Sequence, residues 1–280
     1  MAGQLMLQRL PETYRQAAGE MAHRLLADYP RTVALVVIGS VARGTHQDDS
    51  DLDLVWVHRG KLPRRWRERL GYWGEGTVEL VPFTLKQVAA HFRQHSPMAH
   101  ALRSGVPLYD PRGLHARWQS RRLGLPTPEW IEATYDFTWS RFAWGLDLER
   151  RERRLHRSLQ HGTDDCSCRV SEVLTRGTLN LVRLLLALAG HVPLCKTHTR
   201  QLLPAVIRGR RLRQAAAITL VAHHEKRDLT LPEAAEVAYL GRWTRAKLVA
   251  ELGVPAADER DRQVRQLMRR TRRRRPRARG

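Results

Sequence analysis

The most constraining stretch of this sequence lies between residues 32 and 58. Thr32 to Ile38 is an unbroken apolar run, TVALVVI, that closes on Gly39-Ser40. Ten residues later (41–50) Asp51 opens a second run, DLDLVWV. Short β-branched runs bounded by turn residues are the signature of buried strands, and acids inside them are anomalous. Alternate strand residues share a face, so Asp51 and Asp53 point the same way, with their Cα atoms about 7 Å apart. Two carboxylates that close repel one another unless a cation lies between them. Mg²⁺ commonly combines one or two carboxylates with substrate phosphates. Upstream, Gly39 lets the backbone approach a ligand closely. The residues after Ser40 read as a helical turn whose free N–H groups, with the Ser40 hydroxyl, suit a phosphate. A third run, Thr77 to Phe83 (TVELVPF), carries Glu79 between Val78 and Leu80. A charge in that setting needs a partner, and the shared metal site supplies one. Pro82 makes this an edge strand.

Gly39-Ser40, a gap of ten residues, Asp51-Leu52-Asp53 and then Glu79 together resemble the polymerase-beta-like nucleotidyltransferase superfamily, and Arg43, Gly44 and Ser50 fit its bacterial pattern GSxARGxxxxxSDLDL. The stretch VELVPFT, two short helices and GVPLYD are similar as well, so the resemblance spans about residues 30–112. It implies that Asp51 and Asp53 bind two Mg²⁺ ions and that Glu79 completes the metal site nearest the attacking hydroxyl. It also implies that Gly39 and Ser40, with Arg43 and Ser50, hold a nucleoside triphosphate. The reaction implied is transfer of a nucleoside monophosphate, AMP from ATP, to a hydroxyl of a small-molecule or protein acceptor, with release of pyrophosphate. Two alternatives stand beside it. One is an antitoxin-like regulatory nucleotidyltransferase that modifies or binds a partner protein. The other is a non-catalytic nucleic-acid-binding protein.

The expected fold class is α+β: a small mixed β-sheet domain with flanking helices over residues 1–122, then an all-α bundle over 127–255, then a basic terminal helix or tail over 256–280. Helices are expected over 11–28, 63–72, 85–94 and 97–104, with a strand at Val106 to Tyr109. No strand is expected after residue 125. Instead helices run from Thr127-Pro128 towards residue 160 and over 166–190, 198–208, 211–225 and 232–250. Gly190 caps the second of these, and Thr230 with Glu233 forms a capping box for the last. This half resembles the helical partner domain of kanamycin-nucleotidyltransferase-type enzymes and of HEPN proteins. Seven residues separate Arg183 from His191, which departs from the HEPN ribonuclease motif. In the antibiotic-modifying relatives a helical-domain carboxylate serves as general base, and Glu172 and Asp136 are the candidates by position. Lys196 and His198 stand at a helix start, where such residues reach phosphates or, more often, serve as surface donors. Trp130, Trp139 and Trp144 share one helix, where packing accounts for them more readily than base stacking does.

Charge bears on partners. The chain of 280 residues carries a formal net charge of +21, and eight arginines with no acid lie between Arg269 and Gly280. A run of that kind is a solvated tail, and a nucleic-acid contact through it is left open. Arg64, Arg65, Arg67 and Arg69 form a second basic cluster around Trp66. No apolar run approaches the length of a membrane span. Three cysteines make no disulfide framework, so a reducing cytoplasm is the expected compartment. His161, Cys166 and Cys168 fall short of a four-ligand zinc pattern. Homodimerisation is left open by the sequence.

Overall fold

A computed structural model of the protein describes residues 5–46, 50–66, 70, 78–155, 170–193 and 196–252, without the side chains of 147–155 and 196–197. The chain divides into two compact units, Met1–Thr127 and Pro128–Gly280. The fold is mixed α+β.

In the first unit a 3₁₀ turn (Leu7–Arg9) precedes α1 (Glu12–Asp28). Then come β1 (Thr32–Ile38), a one-turn helix α2 (Gly39–Ala42), β2 (Leu52–His58), β3 (Val78–Thr84), α3 (Leu85–Arg93), α4 (Pro97–Arg103), β4 (Val106–Tyr109) and α5 (Leu114–Gln119). The strands form one sheet in the order β3-β2-β1-β4. β1 runs antiparallel to both β2 and β4, whereas β2 and β3 are parallel. Pro82 and Pro107 lie in the two edge strands, where a missing N–H disrupts no central ladder.

All of β1 is buried because the sheet is covered on both faces. Leu35, Val37, Leu52, Leu54 and Trp56 pack against Tyr14, Ala18, Ala22 and Leu25 of α1. Val36, Ile38, Val55 and Val57 pack against Val88 and Phe92 of α3, Leu102 of α4 and Trp118 of α5. This double coverage explains why the strand sequences are continuous apolar runs rather than alternating ones.

Capping sets the helix boundaries. Thr84 and Gln87 form a capping box at α3, and Ser96 caps α4, with Pro97 in the first turn. The Asp110 carboxylate accepts from the N–H groups of Leu114 and His115 at 2.9 and 2.8 Å and starts α5, a helix the apolar periodicity does not signal. The unit runs on to Thr127: its N–H donates to the Gln94 carbonyl at 3.0 Å, and Gly124 N–H donates to His95 Nδ1 at 2.7 Å.

The second unit is all-helical over its described residues: α6 (Pro128–Leu155), α7 (Val170–Leu188), α8 (Lys196–Val206), α9 (Arg210–His224) and α10 (Leu231–Leu252). α7 is the central helix, with fourteen buried residues. Its N-terminal half lies close against α6. A Cβ on Gly177 would stand 2.8 Å from Phe142 Cα, and one on Gly145 would stand 3.1 Å from Leu174 Cα. Gly190, at φ +86°, ends α7, where the His191 N–H donates to the Leu186 carbonyl at 2.9 Å. The Thr230–Glu233 capping box is present at α10. Trp139 is buried and Trp130 packs against the same core, but Trp144 is not part of it.

Among the described residues no helix is long and apolar enough to cross a membrane. The expected helix over 63–72, His161, Cys166, Cys168, Cys195 and the arginine tail from 269 to 280 lie wholly or largely outside the described residues.

Candidate active site

The sequence-selected residues collect at one end of the sheet. Gly39 and Ser40 open the turn that leaves β1, and Arg43 closes it. Ser50 and Asp51 are the last residues before β2, Asp53 is its second residue, and Glu79 is the second residue of β3. Strand register aligns them. Ile38 of β1 pairs with Asp53 across the antiparallel ladder, and Asp53 pairs with Glu79 across the parallel one. In-register neighbours share a face, so Asp53 and Glu79 stand side by side on adjacent strands about 4.8 Å apart. That face is the one covered further along by Val55, Val81 and Phe92. The acids therefore sit at the open end of a row that is otherwise core.

Gly39 has φ +78°, and a Cβ built on it would collide with the Asp53 Oδ2 and stand 3.1 Å from its Cγ. The carboxylate thus lies directly over bare backbone. Glycine is required here both by conformation and by space.

The described residues on either side of 47–49 are held by hydrogen bonds. Backbone N–H groups of Arg43 and Thr45 donate to the Ser40 carbonyl at 3.2 and 3.0 Å. Tyr14 of α1, 4% exposed, donates its hydroxyl proton to the Ser50 carbonyl at 2.9 Å. The Tyr14 ring also meets His46 edge-on at 5.4 Å. Tyr14 and His46 were not selected from the sequence. Tyr14 has the spacing of an ordinary core residue of α1, and nothing in a separation of 36 residues announces its bond to Ser50.

Arg43 Nε and Nη2 and His46 Nδ1 are shielded from solvent without a hydrogen-bond partner. Shielded guanidinium N–H donors that meet no acceptor are costly. An anionic ligand is the occupant that offsets that cost, and a phosphate matches the planar fork of donors.

Glu79 is exposed, so the desolvation reason for giving it a partner does not apply; its place beside Asp53 does. Among the described residues no three His, Cys, Asp or Glu side chains gather tightly enough to form a metal site by themselves. Asp53 and Glu79 share a face, and Asp51 lies just before β2, so the three carboxylates form no closed cage. Such a donor set, all oxygen and open on one side, fits an ion that keeps much of its coordination for water and phosphate, as Mg²⁺ does. Glu172 and Asp136, the helical-domain acids, lie in α7 and α6 of the second unit.

Residues 20–95 match the family model described as Nucleotidyltransferase domain. The match takes in every residue selected above, from Gly39 to Glu79. No curated protein matches the sequence. Among solved structures, the chain is similar to a nucleotidyltransferase-like protein from Exiguobacterium sibiricum, at 13% identity over 85% of this chain and 76% of that chain, with a TM-score of 0.36. It is also similar to a toxin-antitoxin crystallised with AMP-PNP, at 18% identity over 36% of this chain and 79% of that chain, with a TM-score of 0.27. Both similarities are remote.

Proposed function

We propose, from the premise that this chain carries a nucleotidyltransferase domain at residues 20–95, that it transfers a nucleoside monophosphate, AMP from ATP, to a hydroxyl of a small-molecule or protein acceptor. The acceptor oxygen forms a bond to the α-phosphorus, the α–β bridging bond breaks, and pyrophosphate leaves with the electron pair. The hydroxyl proton passes to a base.

The single observation that carries this reading is the Asp53 carboxylate, seated on bare backbone at Gly39 and in register with Glu79. A structural acid needs neither feature. Asp51 and Asp53 would hold Mg²⁺, with Glu79 on the side of the attacking hydroxyl. When bound, such ions lower the pKa of that hydroxyl and offset charge on the transferring phosphoryl group. Gly39 and Ser40 offer backbone and hydroxyl donors to the triphosphate, and Arg43 supplies positive charge through two donors, Nε and Nη2, that have no hydrogen-bond partner. Tyr14 holds the Ser50–Asp51 backbone in place.

The test is incubation of the full chain with labelled nucleoside triphosphates, Mg²⁺ and a cell extract, scoring which component becomes labelled. The wild-type chain is expected to label an acceptor from ATP, and chelation with EDTA is expected to stop it. Asp51→Asn and Asp53→Asn are expected to reduce labelling by about a thousandfold or more, as loss of a group that acts in the transition state does. Equal labelling by wild type and both variants would overturn the proposal.

A further inference from the structure

α6 leaves two large aromatic side chains in solvent: Phe137 is 58% exposed and Trp144 41%, whereas Trp139 and Phe142 of the same helix are buried. Arg141 lies between the exposed pair, with its guanidinium 5.0 Å from the Phe137 ring centroid. Positions 137, 141 and 144 are spaced to share one helix face. Beside that face is a cavity of about 170 Å³ lined by Arg141 and Trp144 of α6 and Glu172, Val173 and Arg176 of α7. Arg176 meets Glu172 at 3.3 Å, with both side chains largely exposed. Such a pair is weak and exchangeable. All of these residues belong to the second unit.

We propose that this face binds single-stranded nucleic acid, with a base stacked at Trp144, a neighbouring base at Phe137, and phosphates on Arg141 and Arg176. Aromatic platforms interleaved with cations are how proteins hold unpaired strands without reading sequence, because every base has a π-face and every step a phosphate. The cations here are arginines, which can also lie flat on a base. The cavity is smaller than the ~300–1,000 Å³ that encloses a free small ligand. It suits one flat ring of a longer molecule lying across the surface. Charge selects the class: the chain carries +21 overall, and past Trp144 the sequence of α6 carries four arginines (150, 151, 153 and 154) against Asp147, Glu149 and Glu152. The cavity lining holds two arginines, Arg141 and Arg176, against the single carboxylate of Glu172.

The test uses the full chain and fluorescence anisotropy with a labelled oligo-dT strand and a duplex of the same length. A duplex offers phosphates but no free base faces, so it reports the arginines and the tail alone. Trp144→Ala is expected to weaken single-strand binding by about 5- to 100-fold, the range of one lost base stack, while duplex binding changes by less than about twofold. Trp144→Phe keeps a ring and is expected to retain most of the affinity. Glu172→Gln removes the carboxylate of the cavity lining and is expected to tighten binding to both probes. Should Trp144→Ala fail to fold, the exposed Arg141→Gln carries the test, with single-strand binding expected to fall. Wild-type affinities in Phe137→Ala and Trp144→Ala would overturn the proposal, as would equal losses on both probes. So would self-association, seen by light scattering, that the alanine variants abolish while oligonucleotide binding is untouched. That last result would assign the face to contact between copies of the chain.

Discussion

Gly39 lies directly beneath the carboxylate of Asp53: at φ +78° it presents bare backbone where a Cβ would stand 3.1 Å from Asp53 Cγ. The end of β1 and the start of β2 are thus fitted to each other through one missing methyl group. Gly39→Ala imposes two separate penalties. A left-handed conformation costs a non-glycine residue about 1–2 kcal/mol. The methyl also displaces the carboxylate, and a shift of about 1 Å in a positioned group lowers turnover roughly a hundredfold. A melting curve and a nucleotidyl-transfer assay on the same preparation read the two effects. Full activity with a lowered melting temperature would restrict Gly39 to a backbone role.

Arg43 is expected to trade stability for binding. Its Nε and Nη2 are shielded without an acceptor, so replacing the side chain by a neutral one of similar length relieves a cost. Arg43→Met is therefore expected to leave the melting temperature unchanged or raised. It is expected to weaken triphosphate binding by about 10- to 100-fold, the worth of a hydrogen bond to a charged group. Calorimetric titration with ATP checks the second expectation. Unchanged affinity would place the phosphates elsewhere.

Tyr14→Phe separates positioning from packing. The ring keeps its place in the core and against His46, but the Ser50 carbonyl loses its donor. The stability cost is expected near 1 kcal/mol. If the tether serves Asp51, kcat falls several-fold while KM for the triphosphate holds, because the substrate contacts are untouched and only the alignment loosens. A change confined to the melting temperature would make Tyr14 a core residue and no more.

These expectations also mark what the sequence made legible. β1 matches its apolar run residue for residue, and β2 runs one residue further, to His58. Seven consecutive β-branched or aliphatic residues closing on a glycine leave few other conformations. Strand periodicity puts Asp51 and Asp53 on one face, but β2 begins at Leu52, so Asp53 lies in the strand and Asp51 just before it. In the sequence, Glu79 stands out because a charge among apolar neighbours needs a partner. The structure exposes its side chain and supplies a different reason, the register with Asp53. Register depends on which strands pair, and a sequence written in one dimension does not display that. The same limit hid Tyr14, whose bond to Ser50 joins elements 36 residues apart. It hid α5 as well, since that helix begins at an Asp110 carboxylate cap rather than in an apolar period. Three tryptophans on α6 were grouped as packing residues; helical phase divides them, with Trp139 inside and Trp144 out.

In the second unit, Gly177→Ala tests the close crossing of α6 and α7. The added methyl would stand 2.8 Å from Phe142 Cα and 3.0 Å from its N. Backbone cannot swing aside as a side chain does, so the helices must separate and loosen the packing of Phe142 and Leu174, both fully buried. Overpacking of this kind costs about 1–3 kcal/mol, against a gain in helix propensity of under about 1 kcal/mol. A net fall in the urea midpoint is expected. A rise would show that the helices part freely at this point.

The same unit carries an acid-sensitive joint. Arg227 clasps Glu233 through two hydrogen bonds, at 3.0 and 2.8 Å, while Glu233 accepts from the Thr230 N–H at the start of α10. Arg227 foremost, and Thr230 after it, hold the Glu233 carboxyl down at about 2, below its ordinary 4.5. A depressed folded-state pKa means that the unfolded chain takes up the proton first. The stabilisation is therefore complete above about pH 4.5 and is lost as the pH falls towards 2. The pair is partly open to solvent, so screening limits its worth to about 1 kcal/mol. Glu233→Gln keeps a cap of the same shape without the charge. It is expected to lower the urea midpoint at pH 6 and to leave it nearly unchanged at pH 2.5, where the wild-type carboxyl is itself largely protonated in the unfolded chain. Parallel urea titrations at the two pH values decide it. An equal deficit at both would assign the effect to the hydrogen bonds of the cap alone and not to the charge.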